Sequence, residues 1–355
     1  MARDRPNILW ICTDQQRFDS LGCYGNEFVD TSYIDQLAES GMMFSRAYCQ
    51  SPICTPSRSS FLTGRYPRTT RNRQNGQTLS KSENLITRRL AEEGYNCGLS
   101  GKLHLGPMDP TKSEGIQNTE PRVDDGYYVF HYSHASQQPF LGNEYQSDWL
   151  QEKNVDFYSE PYNGSEHVLT SMPAEHHQTT WCVEKAIDFI EFNANSYDLS
   201  EFNQEADEPW LFSVNIYDPH HPFDPPKEYL EKYVERLDEI PLPNYENGEL
   251  KDKPLFQRDP PGASDEDKFP YEEMEEDDHR LMKAAYWAMV DLIDDQVGRL
   301  LDALERTNQR EDTIVIFMSD HGEMLGDHGV YLKGPFFYEP AIRVPLIFNW
   351  PGQIE

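Results

Sequence analysis

Short apolar runs alternate with long polar stretches along the chain. Most of these runs are almost continuously apolar, which indicates strands that are buried on both faces, as in a parallel sheet. The predicted strands cover residues 7–13, 96–102, 210–216, 313–318 and 344–348. Residues 177–192 and 281–304 instead repeat their apolar positions at helical spacing. The pattern therefore predicts an α/β fold with a large, central, mostly parallel sheet flanked by helices.

Polar side chains follow the predicted strands at their carboxyl ends, where open α/β sheets bind ligands. Asp14 and Gln15 follow the first strand, and Asp320 and His321 follow the strand that ends at residue 318. We expect these four side chains to meet at one edge of the sheet. Their oxygen atoms suit Ca²⁺ or Mg²⁺, and the imidazole leaves Mn²⁺ or Zn²⁺ open. Taken by itself, Asp14 is equally well explained as a turn or helix-capping residue.

Basic side chains follow two other predicted strands. Lys102 and His104 are two positions apart, and on an extended segment both would point to the same side. Lysine supplies a charge and histidine can exchange a proton near neutral pH, although a surface lysine and a capping histidine would explain the pair equally well. His220 lies between Pro219 and Pro222, which stiffen its backbone, so it is a candidate general acid.

The run Cys-Thr-Pro-Ser-Arg at residues 54–58 opens a predicted helix. Proline is favoured at a helix start, and the free backbone N–H groups there favour an anion. Arg58 adds a planar, permanent charge that suits an oxyanion. The run therefore predicts that Cys54 is a nucleophile at an anion-binding helix start. The commoner arrangement, a buried free cysteine before an ordinary helix, is the alternative.

This run, continued by Leu-Thr-Gly-Arg at residues 62–65, resembles the signature of the type I sulfatases, a family within the alkaline phosphatase-like superfamily. In that family the cysteine is oxidised to formylglycine, and the hydrate of the aldehyde attacks the sulfur of a sulfate ester. The resemblance implies that Cys54 is converted in this way. It also implies a formylglycine-generating enzyme as a partner during maturation.

The resemblance covers nearly the whole chain and assigns roles to the residues already considered. The metal ligands that it implies are Asp14, Gln15, Cys54, Asp320 and His321, and the family usually binds calcium. The catalytic residues that it implies are Cys54, Arg58, Lys102, His104, His220 and Lys333. Taken alone, Lys333 would be expected to be an ordinary surface lysine. Of the two adjacent histidines, His220 rather than His221 matches the family element, and this assignment depends on a shift of one residue in the alignment.

The resemblance also implies how these residues act. Arg58, Lys102 and Lys333 neutralise the sulfate oxygens, and His220 or Lys333 protonates the leaving alcohol. His104 then takes a proton from the second hydroxyl of the hydrate, which restores the aldehyde.

The charge balance limits the range of partners. The chain holds 31 Lys and Arg against 62 Asp and Glu, a net charge of −31, which argues against nucleic acid or an anionic membrane. A long polysulfated polymer would also be repelled unless the cleft is locally basic. We therefore expect a sulfated small molecule or a sulfated carbohydrate end as substrate. Six cysteines without regular spacing predict neither a zinc site nor a disulfide framework.

Length and composition suggest one large catalytic domain over residues 1–355 with a loop-rich insertion at about 107–175. His131, Tyr132, His134 and Trp149 are candidate substrate contacts in that insertion, and the sequence selects none of them. Sulfatases usually continue into a small C-terminal sheet domain, so we expect that this chain is truncated. No run reaches membrane-spanning length and no signal peptide precedes the first strand, so a cytoplasmic location is expected, or a periplasmic or secreted one if a leader was removed.

Together these inferences predict a hydrolase of sulfate monoesters that depends on formylglycine and a divalent metal. A phosphonate monoester or phosphodiester hydrolase on the same scaffold is the first alternative, because such relatives share the metal ligands. A degenerate, non-catalytic binding module is the second.

Overall fold

The structure is a computed structural model that describes residues 4–107, 120, 122–137, 142–195, 208–254, 269 and 271–354. The strands are β1 (Asn7–Thr13), β2 (Met42–Met43), β3 (Ala47–Tyr48), β4 (Asn96–Gly101), β5 (Val129–Tyr132), β6 (Ser159–Pro161), β7 (Leu169–Ser171), β8 (Trp210–Ile216), β9 (Thr313–Ser319), β10 (Arg343–Val344) and β11 (Leu346–Asn349). The α-helices are α1 (Ser32–Glu39), α2 (Cys54–Thr63), α3 (Pro67–Thr70), α4 (Ile86–Glu92), α5 (Leu150–Glu152), α6 (Gln178–Asn195), α7 (Lys227–Val234), α8 (Glu276–Arg306) and α9 (Glu339–Ile342).

A seven-stranded sheet organises the fold, in the order β2-β11-β9-β1-β8-β4-β5. The five strands from β9 to β5 are parallel. Strand β11 pairs antiparallel with β9, and β2 pairs antiparallel with β11 at the edge of the sheet. Thr13 at the end of β1 pairs with Ile216 of β8 and Ser319 of β9. The residues that follow these three strands therefore leave the sheet side by side. The predicted α/β fold with a large, mostly parallel sheet is confirmed.

Strand β5 was not predicted, because residues 107–175 show little periodicity. The described part of that segment also contains a π-helical turn at Tyr145–Trp149 and the β6–β7 hairpin. Strand β5 is a four-residue edge strand with partly exposed side chains, and such a strand leaves almost no alternating signal.

One face of the sheet is covered by the long helices α6 and α8. Their buried side chains, among them Trp181 and Ile293, pack against strand residues such as Phe212 and Phe317. Helix α8 begins with a reciprocal capping box between Glu275 and Asp278. Farther along α8, the buried carboxylate of Asp294 accepts the N–H groups of Tyr33 and Ile34 in the first turn of α1. The core thus includes polar contacts that hold one helix start against another helix.

The opposite face is covered less completely. Helices α2 and α4 pack there around Leu62, Leu99 and Leu211. Beyond them, half-buried apolar side chains of β1, β9 and β11 line a groove of about 440 Å³, among them Trp10, Ile316, Met318, Leu346 and Phe348. None of the described helices combines the length and the apolarity that crossing a membrane requires.

Candidate active site

Cys54 is the first residue of helix α2 and is 1% exposed. Its Sγ lies 3.2 Å from Nε2 of His321, 3.6 Å from Oδ1 of Asp14 and 3.7 Å from Nζ of Lys102. Burial and the charge of Asp14 raise the pKa of the thiol, but Lys102, Lys333 and His321 together lower it below its usual value. The predicted nucleophile therefore lies within a cluster of charged groups at the carboxyl edge of the sheet.

Arg58, one turn farther along α2, is fully buried, and all three nitrogens of its guanidinium group donate hydrogen bonds. Its Nε donates to Asp320 Oδ2 at 2.8 Å and its Nη2 donates to Asp14 Oδ2 at 3.2 Å. Its Nη1 donates to the carbonyl oxygen of Lys102 at 2.8 Å. The side chain joins the ends of β1, β4 and β9, so it has a structural role in addition to its charge.

Four side chains from three segments of the chain could hold a metal ion. Asp14, Cys54, Asp320 and His321 each offer one ligand atom, and these atoms lie within 4.8 Å of one another. The Nδ1 of His321 faces the carbonyl of Gly322 at 2.9 Å and must donate to it, which leaves Nε2 directed at the cluster. Burial would lower the pKa of His321, but Asp320 and Cys54 raise it to about 9. Two carboxylates and a correctly oriented imidazole form a donor set that fits a divalent cation.

Gln15 lies beside this cluster in a constrained backbone conformation. Its φ of 67° is uncommon for a residue other than glycine. Its N–H donates to Asp320 Oδ1 at 3.0 Å, and its carbonyl accepts from the hydroxyl of Tyr286 at 2.7 Å. The side-chain Oε1 accepts from Nζ of Lys333 at 2.5 Å, and Nε2 donates to Glu323. The neighbouring elements therefore hold both ends of this amide.

Lys102 lies at the centre of the site, whereas the segment around it differs from the extended one that we expected. Strand β4 ends at Gly101, and His104 has a φ of 57°. Gly101 has a φ of 99°, and a Cβ there would lie 2.0 Å from the carbonyl oxygen of Asn215, so only glycine fits. Nζ of Lys102 lies 2.5 Å from Oδ2 of Asp14. Because the backbone turns after Gly101, the alternation of an extended segment does not apply.

His104 is held from behind by a carboxylate that the sequence did not indicate. The buried Glu120 accepts the N–H of His104 at 2.6 Å, that of Gly106 at 2.9 Å and that of Leu105 between them. Burial and the nearby charge of Lys102 lower the pKa of His104 well below its usual value. Within the described part of the chain, Nδ1 of His104 is buried without a hydrogen-bond partner.

One of the four candidate contacts in the 107–175 segment lies at the site. The ring of His134 meets that of His104 edge-on, with centroids 4.6 Å apart. His131 instead pairs with Glu144, and Trp149 donates to Glu184. Tyr132 contacts His134 through its hydroxyl at 3.3 Å.

His220 and Lys333 form a pair on the other side of Gln15. Nδ1 of His220 lies 2.5 Å from the carbonyl of His221 and must donate to it, so Nε2 accepts from the ammonium of Lys333. Burial and the charge of Lys333 lower the pKa of His220 well below its usual value. His221 also reaches the site, with Nδ1 3.3 Å from Nε2 of Gln15. The structure thus brings all ten predicted site residues into one region.

Comparison with known proteins agrees with this arrangement. A sequence model of the sulfatase family matches residues 6–355. This chain belongs to the sulfatase family. The family implies a divalent metal and a formylglycine residue, and the donor set described above fits such a metal.

This chain spans about two thirds of the length of the relatives that it matches. It is 33% identical to an uncharacterised sulfatase, YidJ, of Escherichia coli strain K12, over 98% of this chain and 63% of the relative. It is 31% identical to an arylsulfatase of Clostridium perfringens, over 99% of this chain and 69% of that protein. The solved phosphonate monoester hydrolase of Agrobacterium radiobacter superposes with a TM-score of 0.71 at 26% identity, over 98% of this chain and 68% of that one.

Proposed function

We propose that this chain carries the catalytic centre of a hydrolase that removes sulfate from the monoester of a small molecule or a carbohydrate. The observation that supports this most directly is the position of Cys54. It lies at a helix start, within 3.7 Å of a lysine, a carboxylate and an imidazole. A buried structural cysteine needs none of these neighbours.

The metal of this site would be held by Asp14, Gln15, Asp320 and His321, together with position 54. Oxygen ligands predominate in this set, and we propose Ca²⁺, with Mg²⁺ or Mn²⁺ as the other candidates. When bound, such a cation withdraws charge from a sulfate oxygen and lowers the pKa of a neighbouring hydroxyl. Formylglycine at position 54 supplies that hydroxyl once its aldehyde is hydrated. A formylglycine-generating enzyme is the partner that this maturation requires.

The residues of the chain then have distinct tasks. Lys102 and Lys333 present ammonium groups to the sulfate oxygens, and Arg58 adds its charge from behind the carboxylates. Lys333 already donates to neutral His220, so the two can pass a proton to the leaving alcohol. Nδ1 of His104 is buried and unpartnered among the described residues, and the lowered pKa keeps the imidazole unprotonated, so it can accept a proton. It would take the proton from the remaining hydroxyl of the hydrate so that sulfate departs and the aldehyde re-forms.

The test has two steps. The protein is first co-expressed with a formylglycine-generating enzyme, and the mass of the tryptic peptide that contains residues 47–58 is measured. That peptide also contains Cys49, which is half-buried beside the carbonyl of Ala341 and serves as the matched control. We expect the aldehyde mass in the wild type and in Cys49→Ala, and no conversion in Cys54→Ala.

Hydrolysis of an aryl sulfate is then measured in the same three proteins. We expect turnover in the wild type and in Cys49→Ala and none in Cys54→Ala, while all three remain folded. Sulfate release by folded Cys54→Ala would contradict the proposal. Complete conversion without turnover of any sulfate ester would favour a non-catalytic binding module.

A phosphonate monoester hydrolase is the second candidate, because the solved enzyme from Agrobacterium radiobacter shares this fold at 26% identity. The converted protein is assayed with a phenyl phosphonate monoester and a matched aryl sulfate. A higher kcat/KM for the phosphonate would favour this candidate, and a higher value for the sulfate would favour the first.

A further inference from the structure

The amide of Gln15 has two chemically different ends, and only one of them suits the site. The oxygen of an amide can bind a cation or accept from an ammonium group, whereas the NH₂ group can only donate. In the structure Oε1 faces Lys333 and Nε2 faces Glu323. Something must therefore hold the amide in this orientation.

Glu323 is placed to do this. It is fully buried, its N–H donates to the carbonyl of Pro340 at 3.0 Å, and its Oε1 accepts the N–H of Leu325 at 2.9 Å. The second carboxylate oxygen accepts Nε2 of Gln15. Both oxygens of Glu323 thus act as acceptors, and the backbone on each side fixes where they lie.

A reversed amide would be opposed at both ends. Its NH₂ group would face the ammonium of Lys333, and its oxygen would face the carboxylate of Glu323. His221 adds a further contact on the NH₂ side, with Nδ1 3.3 Å from Nε2 of Gln15. A buried donor or acceptor that is left without a partner carries the full cost of its desolvation, so the observed orientation is strongly favoured.

We propose that Glu323 is a positioning residue that directs the Oε1 of Gln15 toward the metal and sulfate site. This inference rests on the proposed role of Gln15 as a metal ligand. Glu323 itself lies behind Gln15 and acts through it. Outer partners that orient metal ligands in this way typically change metal affinity by about 10–100-fold when they are replaced.

The test is the affinity for Mn²⁺, measured from the electron paramagnetic resonance signal of the free ion. Glu323→Gln leaves only one acceptor oxygen for two donors. We expect it to bind Mn²⁺ about 10-fold or more weakly than the wild type. Asp294→Asn is the control, because it alters another buried carboxylate that accepts backbone N–H groups far along α8. We expect it to lower the melting temperature and leave the Mn²⁺ affinity unchanged.

Exchanging the two side chains, with glutamate at position 15 and glutamine at position 323, distinguishes a positioning role of Glu323 from general damage to the fold. In the Gln15→Glu background, position 15 no longer has a donor end, and the amide introduced by Glu323→Gln can donate to its carboxylate. We therefore expect Glu323→Gln to weaken Mn²⁺ binding in the wild-type background and to leave it equal or improve it in the Gln15→Glu background. Equal losses in the two backgrounds would show that Glu323 is merely structural and overturn the inference.

The failure of this inference can be distinguished from the failure of the proposed function. Asp320→Ala removes a proposed ligand directly. If the wild type binds Mn²⁺ and Asp320→Ala does not, the metal site stands, and wild-type affinity in Glu323→Gln overturns only the role of Glu323. If Asp320→Ala binds as the wild type does, the metal site is wrong and the inference fails with it.

Discussion

The ammonium of Lys333 donates a hydrogen bond to Nε2 of His220. Nδ1 of His220 donates to a backbone carbonyl, and burial together with the charge of Lys333 lowers the pKa of the ring, so the ring is neutral and Nε2 accepts. The exchangeable proton of this pair thus resides on Lys333, beside the site where the alcohol would leave.

This arrangement predicts a dependence on the leaving group. Removing a general acid slows reactions with poor leaving groups most, because these need the proton in the transition state. We expect Lys333→Ala and His220→Ala to lower kcat by about 10²–10⁴-fold for an alkyl sulfate. The loss should be much smaller for 4-nitrophenyl sulfate. Equal losses for both substrates would mean that the pair only binds sulfate.

The buried contacts of Arg58 predict that replacing it lowers the free energy of unfolding far more than replacing an exposed arginine does. Arg58→Lys keeps the charge but cannot donate to Asp14, Asp320 and the carbonyl of Lys102 together, and a buried charge that is left without its partner costs about 3–5 kcal/mol. The control is Arg65→Lys, since the side chain of Arg65 is 49% exposed in its pair with Glu83. We expect a change of about 0–1 kcal/mol there. Denaturant unfolding measures both, and a loss below about 1 kcal/mol for Arg58→Lys would contradict this account.

The hydrogen bonds of Glu120 predict that this residue supports His104 without taking part in the reaction. Glu120→Ala frees three consecutive backbone N–H groups, so the turn that carries His104 should lose its fixed position. We expect kcat to fall by at least about 10-fold, the equivalent of roughly 1.4 kcal/mol, while the Mn²⁺ affinity stays near the wild-type value. Parallel loss of metal binding would show that the damage spreads beyond this turn.

The buried carboxyl group of Asp294 predicts that the free energy of unfolding decreases as pH rises. Burial raises the pKa of its carboxyl group to about 7, although two backbone N–H groups oppose the shift. The folded protein therefore holds this proton more tightly than the unfolded chain. Its contribution is complete below about pH 4 and is lost as pH rises toward 7, at about 1.4 kcal/mol per pKa unit.

Asp294→Asn should therefore flatten the change in unfolding free energy between about pH 4 and pH 7. The exposed neighbour Asp295 provides the control. Asp295→Asn should leave most of the slope in place. The explanation fails if Asp294→Asn retains the full slope.

The strands and the residues at their ends were predictable because both depend on local sequence. Continuous apolar runs mark the central strands, and polar residues such as Asp14 and Asp320 follow them directly. The contact between Gln15 and Glu323 was not predictable, because the two residues are 308 positions apart and meet only in the folded chain. The turn at His104 was missed for a different reason. The chain leaves the extended conformation at Gly101, where it closely approaches Asn215 of β8, and the sequence does not show that approach.

The separation of the site residues along the chain also orders events during synthesis. Arg58 and Asp320 are 262 positions apart, which corresponds to roughly 10–50 s of translation at about 5–20 residues per second. Throughout that interval the emerging chain lacks β9, and Cys54 has not yet gained His321 as a neighbour. In the folded protein the same thiol is 1% exposed. We expect the nascent chain, rather than the finished protein, to be the form in which a modifying enzyme reaches Cys54.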